Sequence, residues 1–375
     1  MRCCGRASRT DVTRDPKLSW ARPHARRRLL LKRGTVGSGA LAAAALGSGT
    51  ISPLVRSQVV AAGVPVRADD QAFWFGFIGD TPYSRLEEGS LRQVLAAMAA
   101  EPLEFVLHAG DVKSRTESCG DDLLSNRLDL LDQCPHPLIL TPGDNDWTDC
   151  TDNPLNWPVT ADLRRLERLQ WLRLNAYRHP HSLGRRRMSL QQQGAGTQEL
   201  AGETRMRAAL PENLRWRIGS LQFCTLHVVG SNNAPRQAPE LERAWLLRQE
   251  ANGAWLNETV ELAIRDNAQG LVIALHANMR FEAGRGDGWE RMRQLVIAAA
   301  VAFDGPVLLL HGDTHRFRSD RLLLRSHGLA NFRRVECYGS PFSASWVQIR
   351  WEPSLARRGA TVESDPFHVT TRELP

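Results

Sequence analysis

Past residue 68 this sequence has no surplus of positive charge, no long hydrophobic run, no internal repeat and few cysteines. Each shortage removes a class of protein. The 375 residues carry 48 Lys/Arg against 41 Asp/Glu, a balance that on its own suggests nucleic acid or anionic lipid as a partner. But residues 1–68 hold 13 of the basic and two of the acidic residues, leaving 35 basic and 39 acidic for the rest. The basic excess belongs to the leader, and no nucleic-acid partner is expected. Nothing beyond the leader approaches the run of about 20 strongly apolar residues that a bilayer span needs. Without a repeat, solenoids and propellers are excluded. Five cysteines beyond the leader are too few to build a disulfide scaffold.

What is there begins with the leader. Arg27-Arg28-Leu29-Leu30-Leu31-Lys32 is followed by a charge-free, Gly/Ala-rich stretch from Gly34 to Val55. That stretch is too weakly apolar for a membrane span but suits the apolar region of a signal peptide. Small residues near Ala62 and Ala68 offer cleavage sites. The segment resembles a twin-arginine export signal. The resemblance implies the twin-arginine export machinery as a partner, no stable membrane insertion after cleavage, and a periplasmic or secreted mature chain. An uncleaved N-terminal anchor is the other reading. Residues 1–68 are read as signal and tail, 69–355 as one domain and 356–375 as a C-terminal tail.

The remaining cysteines are Cys119, Cys134, Cys150, Cys224 and Cys337. Cys224 sits in an apolar, strand-like run and is expected to be buried. Cys119 and Cys150 fall in loops after two Gly-Asp turns, where a disulfide would brace both loops in an oxidising compartment. Cys134 competes for either partner, and spacing alone leaves the pairing open.

Short apolar runs then alternate with helical patterns. Phe73 to Ile78, Phe105 to Leu107, Leu138 to Leu140, Leu271 to Leu275 and Val307 to Leu310 read as strands. Between the first two, Leu91, Val94, Leu95 and Met98 recur at one helical face. A second helix is expected around Leu123 to Leu131, and another from about Glu240 to Arg265. Unbroken apolar strands are buried on both faces, and their alternation with helices implies an α/β layered domain. Phe223 to Val229, Arg334 to Tyr338 and Trp346 to Trp351 read as antiparallel strands, so two packed sheets with helices outside are expected. Arg185 to Glu203 is rich in Arg, Gln and Gly without periodicity and reads as an exposed insertion.

Each of the five strands named first runs into an acidic residue or a histidine. The five ends are Gly79-Asp80-Thr81-Pro82-Tyr83, His108-Ala109-Gly110-Asp111-Val112-Lys113, Thr141-Pro142-Gly143-Asp144-Asn145-Asp146-Trp147, His276-Ala277-Asn278 and His311-Gly312-Asp313-Thr314-His315. In open α/β sheets ligands bind beyond the carboxyl ends of strands, so these side chains should converge. Carboxylates mixed with imidazoles suit Mn, Fe or Zn better than Mg or Ca. One Gly-Asp turn is ordinary; five strand ends in this order point to a metal or phosphate site.

The order resembles the calcineurin-like metallophosphoesterases, which string together an Asp-x-His, a Gly-Asp, a Gly-Asn-His-Asp/Glu, a lone His and a Gly-His-x-His. The match runs over roughly residues 73–350. A subgroup of exported phosphatase-like proteins is closer, through Gly79 to Tyr83, Pro142 to Cys150 and His311 to His315; Arg334-Val335-Glu336, Gly339-Ser340-Pro341 and Trp346 resemble its closing segment. The resemblance implies a four-layer α/β/β/α sandwich of two mixed sheets flanked by helices. It implies a two-metal centre hydrolysing a small phosphate mono- or diester through an activated water. Asp111 would bridge the ions, Asp80 and His315 would hold one, and Asp144, His276 and Asp313 the other.

Departures from the family pattern shift the site toward oxygen ligands. Pro82 stands where a His ligand belongs, which leaves Tyr83 or water to replace it. Asp144 replaces an Asn and Asp313 a His, so Mg or Ca gain ground on Zn. Asn145 replaces the His that helps protonate a leaving group; it can hydrogen-bond a phosphate oxygen but cannot donate a proton to it. Lys113 is expected either to bind phosphate and offset the added carboxylates or to lie on the surface. A catalytically degenerate metal- or phosphate-binding protein of the cell envelope is the alternative function.

Overall fold

The computed structural model describes residues 71–151, 160–194, 196–200, 203–234, 236, 238–356 and 364–374. The leader, and with it the export and cleavage readings, lies outside them. In chain order the elements are β1 (Phe73–Ile78), α1 (Arg85–Met98), β2 (Leu103–His108), α2 (Asp121–Asp132), β3 (Leu138–Leu140), α3 (Ala161–Asn175), β4 (Gln191–Gln193), β5 (Gly196–Leu200), β6 (Glu203–Arg207), β7 (Leu210–Ile218) and β8 (Leu221–Thr225). There follow a single turn α4 (Gly230–Asn233), α5 (Pro239–Arg265), β9 (Gly270–Ala274), α6 (Glu290–Phe303), β10 (Val307–His311), β11 (Arg318–Asp320), α7 (Leu323–His327), β12 (Phe332–Glu336), β13 (Ser345–Trp351) and β14 (Phe367–Glu373). Helix α1 begins where Ser84 Oγ accepts the Glu87 N–H at 3.2 Å, satisfying a donor that the first helical turn leaves unpaired.

Two mixed sheets form the centre, one in the order β14-β13-β1-β2-β3 and the other β11-β12-β10-β9-β8-β7-β4. Strand β1 shows how they stack. Its Phe75 meets Phe223 of β8 edge-on with ring centroids 5.7 Å apart, and Phe105 of β2 meets the same ring at 5.2 Å. Phe223 in turn stacks on Trp216 at 4.9 Å. On the opposite face of β1, Gly76 lies against Met98 of α1 and Val106. The first sheet is thus covered by α1 and α2 outside and by the second sheet inside. The second sheet's outer residues Ile273 and Leu309 pack with Trp255 and Leu256 of α5 and Val296 of α6. Burying each such side chain contributes roughly 1.5–3 kcal/mol, and with both faces covered the strands can be unbroken apolar runs. The expected order of helix, sheet, sheet and helix layers is the one found. Among the described residues, no helix is long and apolar enough to cross a membrane.

Four local expectations need correcting. Strand β12 pairs antiparallel with β11, as expected, but parallel with β10, because the chain returns through α7 before re-entering the sheet. Strand β8 ends at Thr225, and it is parallel to β9 while antiparallel to β7. The segment expected to be an insertion supplies an edge strand, β4, and half of the β5–β6 hairpin. Gln193 is buried because its amide donates to Ala251 O at 2.7 Å. The expected C-terminal tail returns as β14, pairing with β13 from Phe367↔Trp351 to Glu373↔Ser345. An edge strand covered on few sides needs no apolar run, so neither edge had a hydrophobic signal.

Candidate metal centre

All five strand ends meet at one place. Strands β1, β2 and β3 run parallel in one sheet, β9 and β10 parallel in the other, and their carboxyl ends carry Asp80, Asp111, Asp144, His276 and Asp313–His315. The loops there are tight. Asp80, Asp111, Asp313 and His315 all adopt left-handed backbone, with φ of 52°, 57°, 81° and 63°. Such strain persists only where surrounding contacts impose it. A Cβ on Gly143 would collide with the Asp111 carboxylate and one on Gly312 with the Asp80 carboxylate, so both motif glycines are required by close approach.

Two groups of three donors lie with their ligand atoms within 4.8 Å of one another: Asp80, Asp111 and His276, all buried, and Asp144, His276 and the half-buried Asp313. His276 belongs to both, whereas the sequence reading placed it on one side only. Its Nε2 lies 2.8 Å from Asp144 Oδ1, 3.6 Å from Asp111 Oδ1 and 4.0 Å from Asp313 Oδ1. His315 Nε2 stands 3.6 Å from Asp80 Oδ1. Hydrogen bonds fix the remaining oxygens. Asp313 N–H donates to both Asp80 oxygens at 3.1 Å, Asn145 N–H to Asp111 Oδ1 at 2.9 Å, and Asn278 N–H to Asp313 Oδ2 at 2.8 Å.

Charge makes this arrangement unfinished as protein alone. Burial, reinforced by Asp313 and Asp144 and opposed by His276, pushes Asp80 up to about 8. Burial likewise raises Asp111 well above the carboxylate range, with Asp144, Asp146 and Asp80 adding to it, and raises Asp313. Asp144 goes the other way: its bond to His276, helped by Ser231, outweighs burial and lowers it. His276 is held well above the usual imidazole value, since the charges of Asp111, Asp144 and Asp80 overcome its burial. One imidazolium cannot offset four clustered carboxylates, three of them buried, and further positive charge would.

The histidines are oriented for metal. His276 Nδ1–H donates to Ala109 O at 2.8 Å and His315 Nδ1–H to Ser340 O at 2.7 Å. Each thereby presents Nε2 to the carboxylates, the orientation that metal-ligating imidazoles take when the other ring nitrogen donates to a carbonyl. The donor set and its tautomers fit divalent or trivalent ions.

No family model and no curated protein matches the chain. Solved structures do. A dimetal phosphatase from Danio rerio is 13% identical, over 80% of this chain and 98% of that one, with a TM-score of 0.45. GAP50, the anchor in the inner membrane complex of Plasmodium, is 10% identical over 81% and 88%, with a TM-score of 0.41. Purple acid phosphatase PPD1 from yellow lupin is 10% identical over 83% and 55%, with a TM-score of 0.38. Likeness at this level assigns no activity, and the centre is argued from its own geometry.

Lys113 and Asn145 differ in role from their sequence reading. Lys113 is fully buried, so it is no surface lysine. Its ammonium donates to Ser114 O at 2.9 Å and Glu117 O at 3.2 Å, holding its own loop instead of reaching for phosphate. Asn145 turns its amide to Tyr83, donating from Nδ2 to the phenol oxygen at 3.0 Å. Tyr83 O–H donates to Asp111 Oδ2 at 2.8 Å and lies 3.2 Å from His315 Nε2. It therefore stands between Asp111 and His315, on the Asp80 side of the centre. Burial and the nearby Asp111 raise its pKa, so the phenol keeps its proton. His108 and His311 orient loops: His108 Nε2–H donates to Thr81 O at 2.9 Å, and His311 Nδ1 lies 2.9 Å from Gly312 O. His227 stands past the end of β8 and bonds Glu212 of β7 through Nδ1 at 2.7 Å.

Two contributors were given no role from sequence, although Asp146 lies within the third motif. Asp146 accepts the N–H groups of Asp111, Val112 and Gly143 at 3.0, 2.8 and 2.7 Å, tying the second and third loops together. Ser231, in α4, donates its hydroxyl to Asp144 Oδ2 at 2.6 Å. Behind the loops, Cys119 and Cys150 form the expected disulfide, and Cys134, Cys224 and Cys337 are buried as thiols.

Proposed function

We propose that this chain is a metal-dependent phosphoesterase that holds two ions at Asp80, Asp111, Asp144, His276, Asp313 and His315 and hydrolyses a small phosphate mono- or diester. The observation that carries the reading is the pair of three-donor groups sharing the buried His276. Bound there, the ions would supply positive charge to a phosphoryl group and acidify the attacking water. The chain's own residues divide the remaining work. Asp80, Asp111, Asp144 and Asp313 bind and space the ions, and Asp146 fixes the loops that carry two of them. Tyr83 holds a proton on its phenol oxygen between Asp111, His315 and Asn145. Asn145 orients that phenol and has no proton to transfer. The oxygen-rich set accommodates Mn or Fe readily, Zn less so, and Mg or Ca as alternatives.

Export to the periplasm or beyond, through the twin-arginine machinery, is part of the proposal. Arg27-Arg28 with its apolar sequel supports it, as does the Cys119–Cys150 disulfide, a bond that persists in oxidising compartments. A second reading is a binding protein of the cell envelope that keeps the centre without turnover. Pro82 and Asn145 favour it, because no imidazole occupies either position.

Metal content decides between them, with the full chain purified free of chelator beside Asp111→Asn. The expected result is about two equivalents of transition metal in the wild type and loss of both in the variant. Hydrolysis of p-nitrophenyl phosphate or its bis ester should then fall by about 10³-fold or more. Metal without turnover would promote the binding protein. A wild type that takes up no Mn, Fe or Zn on reloading would sink both readings.

A further inference from the structure

Four consecutive residues without a glycine, Ser231, Asn232, Asn233 and Ala234, adopt left-handed backbone, with φ of 50°, 58°, 60° and 74°. Side-chain residues avoid this region, and a run of four is sustained only by outside restraint. The restraints are visible. Arg248 of α5 donates from Nη2 to Asn233 O at 2.5 Å, and Asn233 Nδ2 donates to Gly288 O at 3.1 Å. Gly288 N–H donates to Asn232 Oδ1 at 2.7 Å. Arg248 is itself buried, its guanidinium 5.2 Å over the Trp147 ring in the loop that follows Asp144.

What the strained turn delivers is contact with the centre. Gly230 presses so closely on the ligands that a Cβ there would strike Asp144 Oδ1 and approach Asp313 Oδ1 to 2.7 Å. Ser231 then places its hydroxyl 2.6 Å from Asp144 Oδ2. Asp149 Oδ1, at 3.5 Å, is the more distant acceptor. The other oxygen, Asp144 Oδ1, faces His276 Nε2.

We infer that Ser231 is a positioning residue of the centre: its hydroxyl occupies Asp144 Oδ2, so that Asp144 offers Oδ1 alone, beside His276 and Asp313, to one of the two ions. This rests on the proposed metal centre and adds a residue that no motif contains. Partners of ligating carboxylates commonly set metal affinity by 10- to 100-fold, and only the ion on the Asp144 side should respond.

Two substitutions in the full chain separate the hydroxyl from the backbone. Ser231→Gly removes the hydroxyl and relieves the left-handed strain; Ser231→Ala removes the hydroxyl and keeps the strain. Manganese(II) binding is followed by chelator competition, with the urea unfolding midpoint measured alongside. Both variants should fold, Ser231→Gly at least as stably as wild type. Both should bind one equivalent as tightly as wild type and the other about 10-fold or more weakly. Wild-type affinity for both ions in Ser231→Gly would overturn the inference and leave Ser231 a turn residue, with the metal centre intact. No binding in the wild type itself would overturn the centre and this inference together.

Discussion

The two sides of the centre use the same residue types and reach opposite electrostatic outcomes. On one side Asp80 and Asp111 are buried among other acids, and both are raised, Asp80 to about 8. On the other, Asp144 is almost as buried, yet it is lowered by His276 and Ser231. Burial alone would raise all three. What separates them is the distance to a single imidazole, 2.8 Å for Asp144 against 3.6 Å for Asp111, together with the acids Asp144, Asp146 and Asp80 that crowd Asp111. The Asp144 side is largely neutralised by protein, while the Asp80 side is where added positive charge would have the larger effect.

His276→Ala should break the comparison most severely, since the imidazole serves both sides. Removing one member of a buried charged pair costs about 3–5 kcal/mol, and both metal equivalents should be lost. Urea denaturation with elemental analysis measures the two effects. A variant that keeps one full equivalent would show that His276 serves one side only, as the sequence reading had it.

Paired asparagine substitutions in metal-free protein sharpen it. A carboxyl whose folded pKa is about 8 and unfolded value 3.8 is proton-bound in the fold while the unfolded chain has already released its proton. Its destabilising effect therefore grows as pH rises from the unfolded value toward 8. Asp80→Asn should stabilise the metal-free chain, on the order of a few kcal/mol at pH 8 and less at pH 5. Asp144, lowered in the fold, contributes stability present above its unfolded value and lost only at more acid pH. Asp144→Asn should thus destabilise to a similar degree at pH 5 and pH 8. Equal responses from the two variants would mean the sides do not differ as described.

The smallest effect should come from Tyr83→Phe, which touches one side alone. Losing its bond to Asp111 should cost about 1–3 kcal/mol if Asp111 gains no other donor. The manganese affinity of the ion between Asp80 and Asp111 should weaken, with the other ion unmoved. Calorimetric titration of the two sites reads this directly, and a change confined to the Asp144 side would contradict the assignment.

How much of this was legible follows from where each signal sits. Asp80, Asp111, Asp144, His276 and Asp313 each follow an apolar run, so period and punctuation placed them together at strand ends. Helix α1 announced itself through Leu91, Val94, Leu95 and Met98, all of which are buried. Lys113 was misread because spacing locates a side chain along the chain but not its direction; the ammonium turned into its own loop. The edge strands β4 and β14 escaped because polar residues suffice where one neighbour is solvent. Ser231 escaped for a different reason: its contact with Asp144 spans 87 residues of chain and depends on left-handed backbone at residues that rarely adopt it.

By itself the sequence determined the layered α/β plan and most of the donor set, because apolar periodicity and Gly-Asp turns are local and survive any packing. Tertiary structure decided the rest. Only it could give His276 to both sides, set Tyr83 between Asp111 and His315, and bring Ser231 onto one oxygen of Asp144. Those outcomes depend on distances of a few ångströms between segments far apart in the chain. Packing of the two sheets and the buried face of α5 fixes such distances, and no local pattern encodes them.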